Sequence, residues 1–67
     1  MQLPLIIQNK FTDEYEGFKA ARVQTSLEAN NLELMLKVNN VSYRTKITKH
    51  KKRGREFIIM LVDEHVS

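Results

Sequence analysis

Six consecutive residues, Phe57, Ile58, Ile59, Met60, Leu61 and Val62, constrain this chain more than any other stretch. In an extended strand successive side chains point to opposite faces. Phe57, Ile59 and Leu61 then share one face, Ile58, Met60 and Val62 share the other, and both faces are apolar. A strand of that kind, read here as Glu56 to Asp63, is central in a sheet, covered by another element, or part of an interface. The chain has only 67 residues with which to cover it. A chain of about 60 residues buries only about 60% of the surface its unfolded form exposes. There is no Cys, so disulfides are excluded, as are the usual structural zinc sites built on thiolates. Self-association is the remaining support. The reading is a homo-oligomer with Ile58, Met60 and Val62 at its interface.

A second period-two pattern runs from Leu32 to Thr48. Leu32, Leu34, Leu36 and Val38 alternate with Glu33, Met35 and Lys37. After Asn39-Asn40, a second alternation sets Val41, Tyr43, Thr45 and Ile47 against Ser42, Arg44 and Lys46. Asn tolerates positive φ, so two alternating runs around Asn-Asn read as a hairpin. Its register would pair Val38 with Val41, Leu36 with Tyr43, Leu34 with Thr45 and Leu32 with Ile47, all on one face. Glu33 would oppose Lys46 on the other. Leu3 to Gln8 and Ala21 to Leu27 read as further strands, with Asn9 to Lys19 between them as a loop or short helical turn. The fold class expected is mainly β, a small five-stranded antiparallel meander, curled or barrel-like, in a single domain spanning residues 1–67. The competing reading is α+β, with one helix over residues 12–24 packed on a four-stranded antiparallel sheet. It rests on Thr12 as N-cap, Asp13 and Glu14 in the first turn, and Lys19 and Arg22 at the far end.

Charge is distributed unevenly. Through Asn40, four cations meet five carboxylates, a net −1; from Val41 on, seven cations meet three carboxylates, a net +4. All seven lie between Arg44 and Arg55. A concentrated patch has a field that attracts polyanions. Residues Lys49 to Arg55 connect two strands, which places them at a hairpin tip with Gly54 supplying the turn. Lys46, Lys49, Lys51, Lys52, Arg53 and Arg55 are the candidate phosphate contacts. His50 reads as a neutral bystander among them. The partner expected is nucleic acid, DNA or RNA, or an acidic protein surface.

No arrangement for catalysis is present: no Cys nucleophile, no G-x-S-x-G turn, no glycine-rich phosphate loop and no HExxH. Asp63, Glu64 and His65 cluster, but neighbours on an extended chain point in alternating directions, and no second His stands at ligand spacing. No metal, cofactor or catalytic residue is therefore expected. Leu3 to Ile7 is too short for a signal-peptide core, and no stretch approaches the ~20 apolar residues of a membrane span. The expectation is a non-enzymatic cytoplasmic protein, and the initial Met is read as opening a complete reading frame.

Overall fold

The computed structural model describes residues 3–65, the side chains of Glu64 and His65 excepted. The order is α1 (Leu5–Lys10), β1 (Asp13–Tyr15), β2 (Phe18–Val23), α2 (Ser26–Val38), β3 (Tyr43–His50) and β4 (Gly54–His65). The strands form one four-stranded antiparallel sheet in the order β1-β2-β4-β3. It is an open sheet with a helix on one face, an α+β fold, and the five-stranded meander is not formed.

The two-sided apolar strand takes the centre. β4 pairs with β2 through Ala21 opposite Ile59 and Val23 opposite Phe57, and with β3 through Thr45 opposite Ile59 and Ile47 opposite Phe57. Phe57, Ile59 and Leu61 pack beneath the helices with Ile7, Phe11, Ala21, Ala29, Leu32 and Leu36. Ile58 and Met60 lie on the opposite face with Ala20, against Tyr15 and Phe18. Both faces of the strand are thus closed within one chain.

The largest correction concerns Leu32 to Val38, which is helix and not the first arm of a hairpin. The α+β alternative holds as a fold class, a helix packed on a four-stranded antiparallel sheet, but the helix is Ser26–Val38 and not residues 12–24, where β1 and β2 stand. The reason is local and begins at Thr25. Thr25-Ser26-Leu27-Glu28 has the T-x-x-E spacing of a capping box. The Thr25 hydroxyl oxygen accepts from the Glu28 amide at 3.2 Å, and the hydroxyl lies 3.0 Å from Glu28 Oε1 as donor. Ala29, Leu32 and Leu36, spaced i, i+3, i+7, face the sheet and are buried. Leu34 and Val38, which completed the apparent alternation, are 61% and 74% exposed on the far side of the helix.

Asn39-Asn40 ends this helix. Asn40 adopts φ 57°. The Val41 amide donates to Leu36 O at 2.9 Å and the Asn40 amide to Lys37 O at 3.1 Å, the paired bonds of a Schellman motif. The Asn39 side chain adds a bond to Met35 O at 2.8 Å. The tolerance for positive φ that suggested a hairpin turn serves a helix end instead.

Leu3 to Gln8 is also corrected, since Leu5–Lys10 is a short helix that inserts Ile7 into the core. Asn9 to Lys19 is not a simple loop either. It contains β1 and the turn at Glu16-Gly17, with φ 52° and 86°, after which β2 begins. Positive φ at both central residues suits a tight hairpin turn. No helix among the described residues is long and apolar enough to cross a membrane.

Candidate functional site

β2 stops pairing with β4 at Val23 opposite Phe57. Beyond that point β4 has only β3 beside it, with Thr48 opposite Glu56, Lys49 opposite Arg55 and His50 opposite Gly54. The hairpin therefore leaves the sheet as a two-stranded ribbon with a turn at residues 51–53. Gly54 takes φ 75° with nothing within 4 Å of where a Cβ would stand, so the backbone conformation is what calls for glycine there.

His50 holds the turn. Its Nδ1 accepts from the Lys52 amide at 3.1 Å and the Arg53 amide at 3.3 Å. A nitrogen that accepts carries no proton, so this geometry belongs to the neutral ring with its hydrogen on Nε2. Two backbone donors that the turn would leave to water are satisfied by one side chain. The imidazole read as a bystander thus fixes the backbone that carries Lys51, Lys52 and Arg53.

The six candidate cations separate into groups. Strand alternation from Phe57 and Ile47 puts Lys49 and Arg55 on the helix side of the ribbon, cross-strand from one another. Both are exposed and border a shallow hollow of about 350 Å³ with Ile47 and Thr48. Lys51 and Lys52 are exposed at the tip. Among the described residues none of these four forms an ion pair.

Arg53 and Lys46 are committed to the opposite face. Arg53 lies 3.0 Å from Glu56 Oε2, and Arg22 lies 3.8 Å from Glu56 Oε1. Glu56 is only 3% exposed. A carboxylate so buried needs charged partners, and the two guanidinium groups supply them. Lys46 Nζ lies 3.1 Å from Glu16 Oε1 and 5.3 Å from the centre of the Tyr15 ring. Hydrogen bonding to Tyr15 and then to Glu16, with the Glu16 charge behind it, raises the Lys46 ammonium above the ordinary lysine value. Arg22 stands 5.8 Å from the centre of the same ring. In a flat sheet β1 and β3 would lie about 14 Å apart, three strand spacings. The Lys46, Tyr15 and Glu16 side chains close that gap across the face.

The interface residues expected on the last strand are placed differently from one another. Ile58 and Met60 are 1% and 6% exposed, covered by the chain's own side chains, and Val62 is half-buried. Exposed apolar surface lies elsewhere, on Leu27, Leu34 and Val38 of α2, on Leu5 and Ile6 of α1, and on Ile47.

Sequence reasoning passed over Glu56 and Arg22. Glu56 had one legible signal: it begins the two-sided apolar strand on the Ile58 and Met60 face, directly after a basic run. A cleft of about 450 Å³ between α2 and β2 has a floor that includes Ala21, Val23, Leu32 and Met35 and a rim that includes Lys10, Asp13, Arg22 and Glu28. It contains no His, Ser or Cys that would make a nucleophile and base. Among the described residues no three His, Asp or Glu side chains gather to hold a metal. No protein-family model, no curated protein and no solved structure matches this chain.

Proposed function

We propose that this chain is a small, non-enzymatic, cytoplasmic nucleic-acid-binding protein of regulatory type. The observation that carries the reading is the end of the β3–β4 ribbon. Lys49, Lys51, Lys52 and Arg55 stand exposed there, without carboxylate partners among the described residues, on a turn held by His50. Cations already neutralised by protein carboxylates add little to polyanion binding; these four keep their charge for a ligand. Each phosphate they neutralise releases condensed counterions.

With all four on phosphates duplex DNA gives a log–log salt slope of about −3.6, at about −0.9 per phosphate, and with only Lys49 and Arg55 on phosphates about −1.8. Gel shifts at several salt concentrations measure it. Replacing Lys49, Lys51 and Lys52 with Ser should weaken binding and flatten the slope by about 0.9 for each of the three that contacts a phosphate. No shift with DNA or RNA at about 50 mM salt, where phosphate contacts are strong, would sink the reading.

One observation favours a second reading, a protein-interaction module, and here its partner is a second copy. Leu27, Leu34 and Val38 are 69%, 61% and 74% exposed on one stripe of α2, opposite the stripe that faces the core. With about 3.6 residues per turn, spacings of seven and four bring them into line. Sedimentation at rising concentration tests this. Dimer formation lost in Leu34→Lys supports it, and a monomer at high micromolar concentration overturns it.

A further inference from the structure

The nucleic-acid reading leaves open which form of nucleic acid is bound, and the ribbon narrows it. We infer that the ligand is duplex DNA and that the β3–β4 tip enters its major groove end-on. The inference rests on the reading above and adds three observations.

The first is the absence of any platform for stacking. Proteins that hold single strands without sequence preference stack bases on exposed aromatic rings. This chain has five aromatic residues, Phe11, Tyr15, Phe18, Tyr43 and Phe57, and no Trp. Phe11 and Phe57 are buried, and Tyr43 packs against the same core. Tyr15 and Phe18 pack against the second cluster, with Ile58 and Met60. None stands on the ribbon beyond Phe57.

The second is shape. From Ile47 to His50 the strand rises about 10 Å at about 3.4 Å per residue. The major groove of B-DNA is about 8.5 Å deep and about 12 Å wide, and it admits a two-stranded β-ribbon. The major groove of A-form RNA is too narrow for side chains to read. Among the described residues no third strand pairs with the ribbon beyond the level of Ile47 and Phe57.

The third is the direction of charge. Entering tip-first, Lys51 and Lys52 reach the groove floor, where guanine presents N7 and O6 as acceptors. Lys49 and Arg55 project from one side towards the phosphates of one wall. The opposite side carries less free charge, because Arg53 is paired there with Glu56, a carboxylate it shares with Arg22. The ribbon thus presents a cationic tip and one cationic flank.

The experiment is fluorescence anisotropy of the intact chain with three probes of equal length: mixed-sequence duplex DNA, its single strand, and the corresponding duplex RNA. Duplex DNA should bind about tenfold more tightly than either, the scale of one well-made base contact. A duplex with 7-deazaguanine for guanine loses the N7 acceptor from the major groove while its minor groove is unchanged. Its affinity should fall about fivefold or more, and Lys51→Ala with Lys52→Ala should erase that difference. Both lysines are exposed, so folding of the double variant is confirmed by circular dichroism. Single-strand or RNA binding equal to that of duplex DNA, or indifference to 7-deazaguanine, overturns the groove inference and spares the nucleic-acid reading. No binding to any probe overturns both.

Discussion

The two faces of β4 are buried to the same degree by different means. Under the helices, Phe57, Ile59 and Leu61 meet large apolar side chains from α1 and α2. On the other face Ile58 and Met60 meet Ala20, two half-buried rings, and cationic side chains that reach across the sheet. The first cover is a second layer of backbone. The second is a single layer of side chains, held by pairs such as Lys46 with Glu16 and Arg22 with Glu56. Long cationic side chains can bury their stems over apolar surface while their heads stay in water. A chain of this size can therefore close a two-sided strand without a second helix, and the seal it makes on that face includes charged groups.

The comparison predicts unequal costs. The largest is Leu36→Ala, which opens a cavity under the helix at a fully buried site and should cost about 2–5 kcal/mol by urea denaturation. Met60→Ala should cost about 2 kcal/mol, at the low end of that range, because a layer of side chains collapses more readily than a helix. Equal costs at the two sites would break the distinction between the covers. Glu56→Gln removes the charge that Arg53 and Arg22 surround and should cost about 1–3 kcal/mol. It should also steepen the salt dependence of polyanion binding by releasing Arg53, which gel shifts would register. Leu34→Ala, on the outer face of α2, should change stability by no more than about 0.5 kcal/mol. A cost several times larger would revive the strand reading of that segment.

The smallest expected effect is that of Lys46→Met, and it has a defined pH dependence. The folded state raises this ammonium above its ordinary value of 10.5. Its contribution is then fully present below that value and is lost as pH rises through the raised one. The difference in unfolding midpoint between wild type and variant should be constant across neutral pH and vanish in strong alkali. A difference that faded between about pH 7 and 9, below where lysines titrate, would remove Lys46 from the seal.

β4 was legible because its signal is redundant: six apolar residues in a row allow a central strand whichever face is counted. The tip was legible because a basic run with a glycine, placed before such a strand, needs a turn. α2 was misread for a physical reason. A helix with apolar residues on two opposite stripes, Leu32 and Leu36 inside and Leu34 and Val38 outside, reproduces a period of two along the chain. Thr25 and Glu28 held the decisive clue, a cap positioned seven residues before the alternation begins. The division of the basic residues was not legible, because it depends on distant partners. Glu16 lies thirty positions from Lys46, and whether Arg53 turns back to Glu56 depends on the conformation of the tip.

β3 lies at the edge of the sheet. Along its eight residues one side of the backbone has no strand beside it among the described residues, a template on which another molecule's strand could add. Arg44 and Lys49 stand on that strand outside the ion pairs of the described residues, Lys46 being held by Glu16, so two such edges repel one another on approach. Lys49, proposed to grip a ligand, thereby also helps to keep copies of the protein apart in free solution. Variants that strip charge from β3 should be checked by light scattering before any loss of binding is interpreted, since a weakened guard and a weakened grip would both reduce the soluble complex.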